Sequence, residues 1–329
     1  MTKRCFPLLA LLLTVALLEG CAGIQQSFHD AAIGYETSAA GLEPQTLAFD
    51  YGELRILRTP ELKGDRPTLV LVHGFGANKE NWLKLGQALK GEYNMVAPDL
   101  PGHGDSVQNP DLSYRIPRQA QRLVRLMDRL NIERAHLAGN SMGGAIVAVT
   151  AAEHPQRVAS LTLMNNAGIH EHPAELDQRL AKGENPLILE APSDYDELMA
   201  FAMNEPPFIP WPVSAVMARE AYKHRHINQA IFADLEADRE QDFRRILNRI
   251  QAPTLVLWGA DDRIIDAANA PLVADAIPDS RLEILEDIAH MPMIEAPEKT
   301  AGLMRSLIQE TATPTESEGQ SATNPEPGS

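Results

Sequence analysis

A serine between two glycines is the first feature of the sequence that suggests chemistry. Residues 139–143 read Gly-Asn-Ser-Met-Gly, after a short apolar run and before a run of small residues. A serine on a sharp strand-to-helix turn has strained dihedral angles, and the residues two positions to either side crowd each other, so only glycine fits there. Such a turn would present the Ser141 hydroxyl at the edge of a sheet as a candidate nucleophile.

A serine hydroxyl is a weak nucleophile, so a base must take its proton. With this kind of turn, an acid and then a histidine are expected downstream. His290 follows the last predicted strand, residues 281–285, where a loop could return the imidazole to Ser141. The acid should follow the apolar run 254–258.

Two aspartates, Asp261 and Asp262, stand directly after that run and its glycine. A carboxylate here would fix the imidazole tautomer and stabilise the imidazolium ion. The residues alone leave both aspartates open. A serine, an acid and a histidine in this order, each just after a predicted strand, predict nucleophilic acyl transfer.

Acyl transfer also needs N–H donors for the developing oxyanion, and one such donor contributes roughly 3–4 kcal/mol to the transition state. The backbone N–H of Met142, next to the serine, is one candidate. Phe75, in His73-Gly-Phe-Gly76, is the second, because its flanking glycines let the chain bend towards the serine. We interpret His73 itself as structural.

The elements that must position these residues follow from six short segments with the character of strands: 68–73, 94–98, 135–138, 160–164, 254–258 and 281–285. They alternate with helical patterns at 81–90, 118–130, 145–153 and 301–308. This alternation predicts an α/β fold, a mainly parallel sheet with helices on both faces. It breaks at about 169–250, a stretch with helical character and many prolines. We interpret that stretch as an insertion over the carboxyl edge of the sheet.

The predicted domains are therefore a core formed by residues 47–168 and 251–310, and a helical cap formed by residues 169–250. Three aromatic residues of the cap could line an acyl-chain site beside Ser141: Phe201, Phe208 and Trp211. Ordinary packing of the cap onto the core is the other interpretation of these residues.

Residues 1–24 are predicted to target or anchor the protein. Lys3 and Arg4 precede residues 6–18, which are almost wholly apolar and uncharged. Leu18-Glu-Gly-Cys21 resembles a bacterial lipoprotein cleavage box, in which Cys21 would carry the lipid. The alternatives are an uncleaved membrane helix over residues 6–24 and a plain cleaved signal peptide. Either the lipid on Cys21 or the uncleaved helix would hold the protein at a membrane of the bacterial cell envelope, facing the periplasm.

The remaining segments and the composition narrow the function further. Residues 25–46 are predicted to be a linker or a juxtamembrane helix. The segment 24–40 could be a helix that self-associates into a homodimer, and the polar residues 311–329 are predicted to be disordered. A net charge of −16 argues against a nucleic-acid partner. The two cysteines, Cys5 and Cys21, precede the core, so we expect no cysteine-based metal site. No metal and no other cofactor is expected.

The chain resembles the serine α/β-hydrolases over roughly residues 47–308. The matching stretches are Val72-His-Gly-Phe-Gly76, Asp99-Leu-Pro-Gly-His-Gly-Asp-Ser106, Gly139-Asn-Ser-Met-Gly-Gly144, Trp258-Gly-Ala-Asp-Asp-Arg263, Ala289-His-Met-Pro292 and Glu295-Ala-Pro297. Within that superfamily it is similar to bacterial lipases and membrane-bound phospholipase A enzymes related to monoacylglycerol lipases. Leu163-Met-Asn-Asn-Ala-Gly168 and Asn185-Pro-Leu187 also look like that group.

The resemblance implies the α/β-hydrolase fold and assigns roles to five residues: Ser141 as nucleophile, His290 as base, Asp262 as acid, and Phe75 and Met142 as oxyanion donors. Asp262 is preferred to Asp261 because the family places its acid three residues after the glycine that ends the strand. Asn140 stands where histidine is commoner. Asparagine at that place also occurs in carbon–carbon bond hydrolases.

The leading hypothesis is a membrane-associated carboxylic ester hydrolase that acts on lipid-like esters through an acyl-enzyme. One alternative is hydrolysis of a carbon–carbon bond in a ring-cleavage product. Those enzymes work in the cytoplasm on small anionic dienoates, so the predicted export signal disfavours this alternative. The second alternative is a lipid-binding protein on a hydrolase scaffold. Proteins of that class usually lack one of the three catalytic residues, and none is missing from this sequence.

Overall fold

Eight strands hydrogen-bond side by side in the computed structural model, which describes residues 6–239 and 241–312. The strands are β1 (Glu43–Phe49), β2 (Gly52–Arg58), β3 (Thr68–Val72), β4 (Asn94–Pro98), β5 (Ala135–Asn140), β6 (Val158–Met164), β7 (Thr254–Gly259) and β8 (Ser280–Leu285). Their order is β1-β2-β4-β3-β5-β6-β7-β8. From β4 to β8 all neighbours are parallel, and β2 is antiparallel to both β1 and β4. The predicted mainly parallel sheet is confirmed.

The central strands are buried on both faces. Every residue of β4 and β7 is buried, and so are the last four residues of β3. Successive side chains of a strand point to opposite faces of the sheet, so both faces must be covered by other elements. This burial explains why these strands appear in the sequence as continuous apolar runs.

The first two strands were not predicted. The six predicted strands correspond to β3–β8, with ends that differ by at most two residues. In β1 only Leu47 is buried, so this strand has no apolar run, and it begins inside the segment predicted as a linker. Phe49 pairs with Gly52 across a two-residue turn, which makes β1 and β2 a hairpin at the edge of the sheet.

The helices of the described residues are α1 (Phe6–Ala39), α2 (Leu83–Ala88), α3 (Ile116–Arg129), α4 (Met142–Glu153), α5 (Glu175–Leu180), α6 (Tyr195–Ala202), α7 (Val213–Lys223), α8 (Arg225–Asp238), α9 (Phe243–Leu247), α10 (Ala270–Asp275), α11 (Pro292–Glu295) and α12 (Pro297–Ala312). In α3 the buried side chains follow the helical period, as at Leu123 and Met127. Helices α5–α9 all lie between β6 and β7, and no described residue of that stretch is in a strand.

Helix α1 covers most of both N-terminal segments that were predicted separately, and it packs against α2 and α7. Among the described residues, no helix combines the length and the apolar character needed to cross a membrane. The side chain of Cys21 is outside the described part of the structure, as are residues 1–5 and most of the predicted disordered tail. The lipid attachment therefore stays a prediction.

Candidate active site

Ser141 lies on the turn between β5 and α4, with φ 55° and ψ −120°. A Cβ atom on Gly139 would lie 2.3 Å from the carbonyl oxygen of Gly143, and one on Gly143 would lie 2.1 Å from that of Val72. These neighbours are backbone atoms of the sheet and helix, so they cannot move aside. The structure therefore supports the steric reason inferred from the sequence for having glycine at both positions.

Ser141 lines a cavity between the sheet and the cap. Six apolar side chains of this lining are Phe75, Ile116, Met142, Leu187, Phe232 and Leu235. The two residues predicted to donate to the oxyanion, Phe75 and Met142, are thus brought to the same cavity as the serine. The ring of Phe75 packs on Phe232 of α8, with centroids 5.6 Å apart, so the cap contacts this loop directly.

His290 and Asp262 form a buried pair. The Nδ1 atom of His290 lies 2.8 Å from Oδ2 of Asp262, and the backbone N–H groups of Ile264 and Ile265 donate to Oδ1 of the same carboxylate. With its proton on Nδ1, the imidazole keeps Nε2 as the acceptor nitrogen. Asp261 instead accepts from the side-chain amide of Asn204, at 2.6 Å. The structure therefore brings Asp262, and not Asp261, to His290.

The loop that carries His290 is held at its backbone. The N–H groups of Ala289 and Met291, on either side of the histidine, each donate to the carboxylate of Glu295 at 3.2 Å. The N–H of His290 itself donates to the carbonyl of Ala202, at the end of α6, at 3.0 Å. The position of the imidazole thus depends on both α11 and the cap.

Asn140 joins this loop to the serine turn. Its side-chain amide donates to the carbonyl oxygen of His290 at 2.9 Å and to that of Met164 at 3.3 Å. The sequence showed only that asparagine departs from the commoner residue here. The structure gives Asn140 a structural role that does not depend on which bond is hydrolysed.

His73 holds the loop that leads to Phe75. Its Nε2 accepts from the N–H of Leu100 at 3.0 Å, and its Nδ1 donates to the carbonyl of Gly74 at 2.8 Å. Full burial lowers the pKa of His73 to about 4, so the ring is neutral at physiological pH. Among the described residues, no three His, Cys, Asp or Glu side chains are grouped so that they could hold a metal ion.

The three cap aromatics named from the sequence do not line the cavity beside Ser141. Phe201 is buried, with the guanidinium of Arg179 4.9 Å from its ring centroid. Phe208 and Trp211 lie between α6 and α7 and are 91% and 72% exposed. The cap side chains that line the cavity include Phe232 and Leu235 of α8 and Phe243 of α9. The helical spacing of apolar residues in α8 was the available sequence signal for Phe232 and Leu235.

The cavity has few charged groups, and its guanidinium is paired. Arg239 lies 3.1 Å from a carboxylate oxygen of Asp177 and 3.0 Å from one of Glu236. Burial lowers the pKa of His170, which also lines the cavity, to about 4. Among the described lining residues the cavity therefore offers no unpaired cation near neutral pH.

Known proteins that are similar to this chain include members of the alpha/beta hydrolase fold family and two bacterial lipases. The family model for the alpha/beta hydrolase fold matches residues 67–186 and 199–297, which is more than half of the chain. Lipase 3 of Moraxella sp. (strain TA144) is 34% identical over 272 residues, which cover 82% of this chain and 85% of that protein. Lipase 1 of Psychrobacter immobilis is 32% identical over 313 residues, 93% of this chain and 98% of that protein.

A solved structure is similar over nearly the whole chain. It is the crystal structure of a membrane phospholipase A, described as a bacterial virulence factor, with a TM-score of 0.86 and 35% identity. The match covers 93% of this chain and 98% of that one. The chain therefore belongs to the alpha/beta hydrolase fold family, as a serine enzyme that hydrolyses carboxylic esters.

Proposed function

We propose that this enzyme hydrolyses lipid-like esters through Ser141, His290 and Asp262. The observation that carries the proposal is the buried His290–Asp262 pair, on a loop that Asn140 ties to the serine turn. His290 takes the proton of Ser141 as Oγ attacks the ester carbonyl, and returns it to the leaving alcohol. A water molecule then loses a proton to His290 and cleaves the acyl-enzyme, which releases the fatty acid.

The N–H groups of Phe75 and Met142 are the proposed donors to the oxyanion. Met142 is the first residue of α4, and the first N–H groups of a helix have no partner within it and favour negative charge. Support for both comes from the cavity that they line together with Ser141.

The apolar cavity supports a long acyl chain as the part of the substrate bound next to Ser141. The names of the relatives, two lipases and a membrane phospholipase A, agree with this substrate class. A small anionic dienoate would need a cationic partner, and Arg239 is already paired with Asp177 and Glu236. The carbon–carbon bond hydrolase hypothesis is therefore the weaker one.

Residues 1–24 are proposed to hold the enzyme at a membrane of a bacterial cell envelope, facing the periplasm. Lipid on Cys21 is the form of this proposal, and its support is the uncharged apolar run that precedes the cysteine in the sequence. The domain division also stays a proposal: a core of residues 47–168 and 251–310, a cap of residues 169–250 and a linker or juxtamembrane helix of residues 25–46.

The loop 203–212 is a proposed contact with the lipid surface. It carries the exposed rings of Phe208 and Trp211, and its four prolines, at 206, 207, 210 and 212, restrict how far these rings can fold back. Tryptophan is favoured at membrane–water interfaces because it is apolar at one end and polar at the other. Phe208 and Trp211 thus contact the lipid aggregate rather than the acyl chain in the cavity.

A second copy of the chain is the proposed partner of α1. Ile24, Phe28, Ala31 and Tyr35 are exposed at i, i+4, i+7 and i+11, so they form one apolar stripe along the helix. Sedimentation velocity of the full chain in detergent tests whether it forms a homodimer.

The test is a release assay on the purified full chain with esters of graded acyl length and intact phospholipids. We expect Ser141→Ala to lower kcat by at least about 1,000-fold and to abolish labelling by a fluorophosphonate. Ser193→Ala, which changes an exposed serine of the cap, is the matched control and should keep full activity. Full activity in Ser141→Ala would contradict the proposal, and the preferred ester would identify the substrate class.

A further inference from the structure

Asn165 combines two unfavourable features at one position, directly after β6. Its φ is 47°, in the left-handed region that residues other than glycine seldom adopt. Its side chain is completely buried, and its Oδ1 atom has no hydrogen-bond partner in the described part of the protein. A residue that only filled space here would be better replaced by glycine or an apolar side chain. Strain of this kind concentrates at functional sites.

The amide nitrogen of Asn165 explains why the side chain is there. It donates to Oδ2 of Asp262 at 2.7 Å and to the carbonyl oxygen of Ala289 at 3.2 Å. A carbonyl oxygen and a carboxylate can only accept, so the nitrogen must face them and Oδ1 must face away. The missing partner of Oδ1 is therefore the consequence of how the nitrogen is used.

The same carboxylate oxygen also accepts from the imidazole. Oδ2 of Asp262 receives hydrogen bonds from His290 and from Asn165, whereas Oδ1 receives two from the backbone. We propose that Asn165 is a positioning residue that holds the Asp262 carboxylate in the orientation that pairs with His290. The inference rests on the proposed catalytic roles of Asp262 and His290.

The hydrogen bond from Asn165 also reduces the effective negative charge on Oδ2 of Asp262, the oxygen that faces the imidazole of His290. Each donor to a carboxylate stabilises its ionised form and makes the oxygen a weaker acceptor. Without Asn165, Oδ2 would stabilise the protonated imidazole more strongly, so His290 would act as a base only at higher pH. This effect on the pH profile distinguishes positioning from simple packing.

The test is Asn165→Gly, because glycine accepts the positive φ and removes the amide. We expect kcat on a short soluble ester to fall roughly 10- to 100-fold, which corresponds to losing one hydrogen bond to a charged group. The KM should not change, since Asn165 does not line the cavity. The acid limb of the kcat/KM profile should move to higher pH, while the melting temperature stays close to that of the wild type.

Asn166→Gly is the matched control. Asn166 is the next residue and is equally buried, and its amide donates to the carbonyl of Ala167 at 3.2 Å rather than to Asp262. The acid limb of the kcat/KM profile of Asn166→Gly should coincide with that of the wild type, even if the variant is less stable.

Two results would overturn the inference. One is an Asn165→Gly enzyme with wild-type kcat and an unshifted acid limb. The other is a loss of activity that only follows the folded fraction in thermal unfolding. Asp262→Asn separates this inference from the proposed function, because it should lower kcat about 10,000-fold. If that variant stayed active, the proposed catalytic set itself would be wrong.

Discussion

At the scale of single residues, the serine turn depends on glycines whose replacement the surroundings cannot accommodate. In Gly143→Ala the new Cβ would lie 2.1 Å from the carbonyl oxygen of Val72 and 2.4 Å from that of His73. Val72 belongs to β3, which is paired with β5 in the middle of the sheet. We expect a loss of about 4 kcal/mol or more in the free energy of unfolding, measured by urea denaturation.

Gly302→Ala is the control for this prediction. A Cβ atom on Gly302, inside α12, would meet no atom within 4 Å apart from the adjoining residues and the backbone of its own helix, and alanine favours a helix interior by about 1 kcal/mol over glycine. This variant should unfold at a higher urea concentration than the wild type. If Gly143→Ala unfolded at the wild-type concentration, the packing argument would be wrong.

The sequence predicted the site residues unevenly, for physical reasons. The turn that carries Ser141 was predictable because a strained turn demands glycines at fixed spacing. Residue type and position after the strand did not show which of Asp261 and Asp262 pairs with the histidine. The two are adjacent in the sequence, yet their side chains point towards different neighbours in the fold. Asn165 was missed because its function lies in a contact with Asp262, almost a hundred positions away.

At the scale of elements, the proposed lipid contact of the loop 203–212 can be tested by the fluorescence of Trp211, which belongs to that loop. The chain has three tryptophans, and Trp82 and Trp258 are completely buried. A change in tryptophan emission on contact with lipid must therefore come mainly from Trp211. With phosphatidylcholine vesicles we expect the emission of the full chain to shift to shorter wavelength, because the indole leaves water.

Trp211→Phe should abolish this emission shift while leaving the turnover of a short soluble ester unchanged, because Trp211 does not line the cavity. Phe208→Ser should weaken the shift. An unchanged emission spectrum of protein that has bound to vesicles would show that the loop stays in water.

The predictability of the elements follows their burial. Strands buried on both faces, such as β4 and β7, were predictable because they appear in the sequence as apolar runs. The predicted strand β8 differs from them, because only Leu285 is buried in it. The edge strand β1 and its neighbour β2 were missed because neither contains a continuous apolar run. Most residues of β1 are exposed, and in β2 the buried Leu54 and Ile56 alternate with exposed residues. The helical spacing of apolar residues in α8 indicated which of its side chains are directed inwards, but not that they line the cavity, because the packing angle of a helix on its neighbours is a tertiary property.

At the scale of the whole molecule, buried histidines make stability depend on pH. Burial, as the main cause, lowers the pKa of His73, His136 and His170 to about 4. In the unfolded chain a histidine has a pKa near 6.5, so between pH 6.5 and 4 the unfolded state binds more protons than the folded state. Stability must therefore fall as the pH falls through this window.

Each such histidine contributes at most about 1.4 kcal/mol per pH unit within the window. The measurement is the free energy of unfolding in urea at pH 7.5, 6.5 and 5.5. His136→Gln removes one of these groups and should give a shallower dependence, since glutamine does not titrate. A slope equal to that of the wild type would show that His136 is not responsible for any of the loss.

The hydrogen bond from the His290 N–H to the carbonyl of Ala202 has a consequence for engineering. Ala202 belongs to the stretch between β6 and β7, which looks dispensable when the sheet alone is considered. Trimming that stretch to make a minimal hydrolase would leave the amide of His290 without its acceptor, and the histidine loop would then be held only by the core residues Asp262, Asn140 and Glu295. For the same reason, a movement of α6 away from the sheet would break this hydrogen bond, so the cap and the catalytic loop are mechanically connected at Ala202.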